Sequence, residues 1–140
     1  MRLTKNFLFS EFTETKHADL LASNIYYAVD NMDKVRELAK FAQEIRDFLG
    51  VPMTITSGVR CTALNNRVGG SATSQHVKCE AIDFIPSKIS LQEAFNRIRF
   101  SKIIFGQLII EKSGDKEWIH ISIGKKREVK KYDGKRYVII

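Results

Sequence analysis

The sequence predicts an α+β fold in which helices pack on a mostly antiparallel sheet. The order of segments is helix, strand, strand, helix and then strand pairs close enough to form hairpins. Strands and helices do not alternate regularly, as they would around a parallel sheet. The chain has 140 residues, of which 44% are hydrophobic, and this is enough for one domain with its own core. We therefore treat residues 1–140 as a single domain.

Two segments have helical periodicity. Apolar residues recur at steps of three and four within residues 31–49, with Asn31 as a candidate N-cap and Gly50 as a C-terminal stop. The second helix begins at Ser90, because Ser90 and Glu93 match a capping box. It is expected to end near residue 100.

Short apolar segments predict the strands. Residues 51–57 alternate apolar and polar side chains, and residues 81–85 form a second strand that stops at a proline. The apolar runs 103–110 and 118–123 are separated by a Ser-Gly-Asp loop, which is typical of an antiparallel hairpin. These segments supply the predicted sheet.

The two ends of the chain are patterned differently. Residues 1–30 are weakly patterned and are expected to form an N-terminal arm around the domain. Residues 125–140 are rich in lysine and arginine, and Asp133-Gly134 is a hairpin turn signal between two strand-like runs. We expect a basic C-terminal hairpin there.

Charge and cysteine content limit the classes of function. The net charge of +7 and pI of about 9.5 favour an anionic partner such as nucleic acid, anionic lipid or a cell-wall polymer, although a merely soluble basic surface fits equally well. No apolar run could span a bilayer and no signal peptide is evident. Two cysteines, Cys61 and Cys79, are too few for a disulfide framework and suit a reducing cytoplasm.

The segment 71–84 contains the strongest candidate site. His76 follows a glycine pair, and Asp83 lies within an apolar strand, where an unpaired carboxylate would be costly. His120 alternates with isoleucines and so points away from the isoleucine core. Imidazole and carboxylate are ligands that zinc prefers. Taken singly, each histidine is more simply a hydrogen-bonded structural residue, and Asp83 a partner of an arginine. His17 lies among polar neighbours and is expected at the surface.

Several motifs in order resemble the zinc D-alanyl-D-alanine carboxypeptidase family of peptidoglycan peptidases. This family shares its fold with the hedgehog signalling domain and includes phage-encoded cell-wall hydrolases. The matching residues span 57–122 and are, in order, Ser57-Gly58-x-Arg60, Asn65, Gly69-Gly70, Ser74-x-His76, Ala81-x-Asp83 and Trp118-x-His120-x-Ser122.

The resemblance implies a Zn²⁺ ion held by His76, Asp83 and His120. It also implies a glutamate as general base, three residues before the last histidine, which is Glu117. Residues three apart in a strand face opposite sides, so Glu117 needs a turn or bulge to reach the metal. Glu111 is the alternative, because pairing with Trp118 across the hairpin would put it on the face of His120. We rank Glu117 first.

The other family residues concern substrate. Arg60 is implied to hold a substrate carboxylate or carbonyl oxygen, unless it is a structural salt-bridge partner of Asp83 or Glu80. The substrate-binding candidates are Ser74, Gln75, Trp118 and Ser122. Cys79 stands where the family has glycine, and its thiol is a competing zinc ligand; Asp83 is preferred because its spacing and strand context follow the family.

The resemblance predicts a zinc peptidase, either a carboxypeptidase or an endopeptidase, that cleaves stem or cross-link peptides of peptidoglycan. We expect a monomer that is made in the cytoplasm, does not insert into membranes and acts on the bacterial wall, in the periplasm or on a virion. The alternative is a non-catalytic, zinc-stabilised module that binds cell wall or protein. Nucleic-acid binding would use the basic run 125–136, but it leaves His76, Asp83 and His120 unexplained.

Overall fold

The computed structural model describes residues 1–140 and has four α-helices and six strands. Helices α1 and α2 precede strand β1, and α3 separates β1 from β2. Helix α4 follows β2 and leads into strands β3 to β6. Two short 3-10 helices, Phe9–Phe12 and Ala18–Leu20, precede α1. The bounds are α1 Leu21–Asp30, α2 Met32–Leu49, β1 Met53–Ser57, α3 Thr62–Arg67, β2 Ala81–Pro86, α4 Leu91–Arg99, β3 Gln107–Ser113, β4 Lys116–Ser122, β5 Glu128–Tyr132 and β6 Tyr137–Ile139.

All six strands form one sheet in the order β1-β2-β4-β3-β5-β6. Every neighbouring pair is antiparallel except β3 and β5. The predicted α+β class with a mostly antiparallel sheet is therefore confirmed. In the centre of the sheet, Asp83 of β2 pairs with His120 of β4.

The predicted helices form where the apolar periodicity placed them. Helix α2 buries one face in the core and ends at Gly50, which has the left-handed φ of 70° that glycine adopts readily. At the start of α4 the Ser90 hydroxyl accepts the Glu93 N–H at 3.0 Å. This is the predicted cap. None of the helices has the length and apolar character needed to cross a membrane.

Residues 1–30 are more ordered than the predicted arm. They contain α1 and both 3-10 helices, and Phe7 and Phe12 are almost fully buried in the core. The polar side chain of Asn24 is also buried, and it binds the backbone of Thr13, Val59 and Cys61. These long-range contacts do not follow a local period, so the sequence pattern did not indicate helix α1.

At the C-terminal end, β5 and β6 form an antiparallel hairpin joined through Asp133–Arg136. Its position in the sheet was not predicted. Strand β5 runs parallel to β3, with Gln107 paired to Glu128. This pairing places β6, and Tyr137 within it, beside the candidate site.

Candidate metal centre

Three buried side chains converge between β2 and β4. Asp83 Oδ1 lies 3.2 Å from His76 Nε2 and 2.9 Å from His120 Nδ1. The β2–β4 register brings Asp83 and His120 together, while His76 arrives from the turns that follow Gly70. One atom from each residue can be chosen so that all three lie within 4.8 Å of one another.

The second nitrogen of each imidazole ring has its own oxygen partner. His76 Nδ1 lies 2.8 Å from the carbonyl oxygen of Gly58, and His120 Nε2 lies 2.9 Å from Gln75 Oε1. Both oxygens accept hydrogen bonds, so each ring can carry its proton on the nitrogen that faces away from Asp83, which leaves the nitrogen that faces Asp83 free to bind a metal. This is the orientation that histidine ligands of metals have.

The inward-facing atoms suit a cation. With these tautomers, two nitrogen lone pairs and a carboxylate oxygen face a common point, an arrangement that is repulsive unless a positive charge lies between them. Burial by itself would raise the pKa of Asp83, whereas positive charge on the two imidazoles and hydrogen-bond donation from them would hold that pKa well below its ordinary range, and a bound cation would act in the same direction. Two imidazoles and one carboxylate are a zinc ligand set with room for a fourth ligand.

Arg60 lies beside this cluster and is held by three side chains. It donates to Ser57 Oγ at 3.2 Å and to Asn65 Oδ1 at 3.3 Å, and its guanidinium lies 3.6 Å from Asp83 Oδ2. A Cβ added to Gly70 would collide with Asn65 Oδ1. The Ser-Gly-x-Arg, Asn and Gly-Gly motifs therefore meet around one guanidinium, whose pKa is lowered by burial.

The two glutamate candidates for the base lie in different places. Glu111 pairs with Trp118 across the β3–β4 hairpin and lines the cavity that contains His120 and Arg60. Glu117 is exposed and lies on the other face of β4 by strand alternation. It lines a third depression with Lys112 and Lys131, which Glu111 also borders, and it lines neither cavity beside the cluster. The structure contains no turn or bulge that would bring Glu117 to the face of His120.

Glu111 is half-buried, and its environment is unusual for a carboxyl group. Burial raises its pKa, and the nearby Asp83 raises it further. The hydroxyl of Tyr137 donates to Glu111 Oε1 at 3.1 Å and partly offsets this rise. A carboxyl group with a raised pKa is better matched to proton transfer near neutral pH than an ordinary glutamate.

The four substrate-binding candidates separate into different surroundings. Ser74 and Gln75 line the cavity beside His120, and Trp118 lines a second cavity on the other side of Asp83. Ser122 is fully buried, and its hydroxyl accepts the Gln107 N–H at 2.8 Å. Its position indicates that Ser122 stabilises the start of β3 and does not face either cavity.

Cys79 is part of the hydrophobic core and not of the metal cluster. Burial raises the pKa of its thiol to about 11, so the thiolate that binds zinc is disfavoured. Its φ of 58° lies in the left-handed region, which explains why glycine suits this position. The alternative in which Cys79 ligates zinc therefore has no geometric support.

Two cavities flank the cluster, and Arg60 lines both. The first, which we call the Gln75 cavity, has a volume of about 360 Å³ and includes Gln75, Glu111 and Tyr137. The second, the Trp118 cavity, has about 440 Å³ and includes Trp118 and Asp83. Sequence reasoning missed Tyr137 and Lys130, because they reach the Gln75 cavity only through the β3–β5 pairing. It also missed Gln107, although alternation along β3 puts Gln107 on the face of Glu111.

A buried His-Asp-His set between two open cavities, with an arginine and a glutamate beside it, is a site of the kind that metallopeptidases use. Comparison with protein families agrees with this geometry: a model described as Peptidase M15 matches residues 9–122. The chain therefore belongs to the Peptidase M15 family. M15 peptidases depend on zinc, and the cluster His76, Asp83 and His120 is able to bind a metal. A search of curated proteins found no match.

Proposed function

We propose that the protein is a zinc peptidase that hydrolyses stem or cross-link peptides of bacterial peptidoglycan, acting as a carboxypeptidase or endopeptidase. The observation that carries the proposal is the convergence of His76, Asp83 and His120 beside Glu111. Family membership supports peptide-bond hydrolysis. The peptidoglycan substrate, and a fold of the hedgehog type, follow from the motif resemblance.

His76, Asp83 and His120 would hold the zinc ion. When bound, zinc would supply Lewis-acid chemistry, polarising the scissile carbonyl and lowering the pKa of water. The Gly58 carbonyl and the Gln75 amide orient the two imidazoles. These two residues keep the ligand nitrogens directed inwards.

Glu111 is the proposed general base, in preference to Glu117. It takes a proton from the attacking water as the water oxygen bonds to the carbonyl carbon. It then gives that proton to the leaving amine nitrogen as the C–N bond breaks. Arg60 lies between the cavities and would bind a carboxylate or carbonyl oxygen of the substrate through charge-assisted hydrogen bonds. Ser74, Gln75 and Trp118 would contact the peptide from the cavity walls.

The test is metal analysis combined with mass spectrometry of digested peptidoglycan. We expect one zinc per chain and new peptide termini from the unmodified protein. His76→Ala and Asp83→Asn should lose both, whereas Asp30→Asn, an exposed control on α1, should keep both.

Two results would contradict the proposal in different ways. New termini released by metal-free protein would exclude the zinc mechanism. Bound zinc without any new termini would indicate the alternative of a non-catalytic zinc-stabilised module. Analysis of the released termini also identifies the bond cleaved, and so separates carboxypeptidase from endopeptidase action.

A further inference from the structure

The Trp118 cavity contains a cluster of cations whose role the metal centre does not explain. Lys16, from the N-terminal segment, and Lys116, at the start of β4, both line this cavity. Their amino groups lie close enough that Lys116 lowers the pKa of Lys16 through direct contact and charge repulsion. Both side chains are exposed, so water screens part of this repulsion, and an anion bound between the two ammonium groups would relieve the rest.

No protein group neutralises this pair. Neither lysine forms an ion pair with a carboxylate. Apart from Asp83, the acidic residue that lines this cavity is Glu14, and Glu14 also forms no ion pair. Arg60 and His17 add further nitrogen donors to the walls. The cavity is therefore positively charged and open to an anionic group.

The cation pair lies on a direct path from the metal centre. His120, Trp118 and Lys116 alternate along β4 and so share one face of the sheet. At about 3.3 Å per residue, the Lys116 backbone lies roughly 13 Å from that of His120. An extended peptide with its scissile bond at the cluster would pass Trp118 and bring a side chain two to four residues away to the lysines.

We propose that Lys16 and Lys116 form an anionic subsite that binds a substrate carboxylate two to four residues from the scissile bond, with Trp118 as the wall between subsite and metal. This inference rests on the proposed function for the identity of the substrate. The recognition itself is charge-assisted hydrogen bonding between two ammonium groups and one carboxylate.

The test compares two pentapeptides that end in D-alanyl-D-alanine and differ at one group. In one, the glutamyl residue carries a free α-carboxylate; in the other, this group is a carboxamide. Cleavage by zinc-loaded protein gives kcat/KM for each peptide. Where a peptide stays intact, as is expected with Glu111→Gln, calorimetry gives its Kd, so the carboxylate preference is measured with or without turnover.

We expect the unmodified protein to prefer the carboxylate peptide by on the order of tenfold, the usual effect of a hydrogen bond to a charged group. The variant Lys16→Gln/Lys116→Gln should lose this preference and handle the carboxamide peptide normally. Lys16→Arg/Lys116→Arg should keep it. Lys5→Gln/Lys102→Gln, which removes two exposed lysines elsewhere, controls for net charge.

The outcomes separate the subsite from the peptidase activity. A carboxylate preference that is absent, or is unchanged in Lys16→Gln/Lys116→Gln, would overturn the subsite even if both peptides are cleaved. If the unmodified protein binds the carboxylate peptide more tightly, Lys16→Gln/Lys116→Gln removes that difference in Kd, and neither peptide is cleaved, the subsite is supported and the proposed peptidase activity is contradicted.

Discussion

Glu111 and Glu117 form a matched pair at the residue scale, because they lie on adjacent strands and the β3–β4 register with strand alternation places them on opposite faces of the sheet. Glu111→Gln should lower kcat by about 10²- to 10⁴-fold, the usual contribution of a general base. Glu117→Gln should change kcat by less than about threefold, since its side chain is exposed and away from both flanking cavities. Both variants should keep their zinc. The reverse order of effects would identify Glu117 as the base.

Gly58 connects the core to the metal ligand His76. Its carbonyl oxygen accepts from His76, and a Cβ at Gly58 would lie 2.8 Å from the carbonyl oxygen of Phe12. Because both contacts involve backbone, the loop must shift to accommodate a methyl group.

We predict that Gly58→Ala lowers the free energy of unfolding by about 1–3 kcal/mol and also weakens zinc binding. Gly50→Ala is the control: its Cβ would contact nothing, but its φ of 70° makes alanine unfavourable by about 1–2 kcal/mol. Denaturant unfolding and zinc titration measure the two effects. Unchanged zinc affinity in Gly58→Ala would show that this loop does not position His76.

At the scale of elements, alternation within β4 predicted the face of His120, and Glu111 was expected on that face if the hairpin paired it with Trp118, which it does. This pairing was predictable because the β3–β4 turn is short and joins strands adjacent in sequence. The position of β5 against β3 depends on contacts between non-adjacent strands. No local period encodes these contacts, so Tyr137 was not predicted at the site. Glu117 was ranked above Glu111 because its spacing from His120 resembles that of the family, although the strand geometry favoured Glu111.

The C-terminal hairpin influences the proposed base through Tyr137. Its hydroxyl donates to the Glu111 carboxylate and thereby lowers a pKa that burial has raised. Removing this bond should raise the pKa of Glu111 further. A base must be deprotonated, so the acidic limb of the kcat/KM profile should move to higher pH in Tyr137→Phe.

The control for this prediction is Tyr132→Phe. Tyr132 packs against the Tyr137 ring at 4.8 Å between centroids, but the Tyr137 hydroxyl is the one that bonds Glu111. Both variants keep the two packed rings, so the pH dependence of kcat/KM separates the hydrogen bond to Glu111 from the loss of any hydroxyl in this hairpin. Equal profiles for both variants and the unmodified protein would show that the hairpin does not tune Glu111.

At the scale of the whole molecule, the metal cluster should couple zinc binding to folding. Asp83 and His120 pair across adjacent strands, and His76 lies in a separate loop between α3 and β2. The three ligands therefore converge only in the folded chain. Zinc that binds this state alone stabilises it by about 3 kcal/mol at a free concentration 100-fold above Kd. For a chain of this size, the expected rise in Tm is on the order of 10 °C.

Chelation by EDTA should therefore lower the Tm of the unmodified protein by a similar amount, and added zinc should restore it. His76→Ala should unfold at nearly the same temperature with or without EDTA, because its site cannot hold the ion tightly. Glu111→Gln should respond to EDTA like the unmodified protein, since Glu111 is not a ligand. A Tm that does not depend on zinc would mean that the repulsion among Asp83, His76 and His120 is relieved by protonation, with Asp83 paired to imidazolium instead of metal.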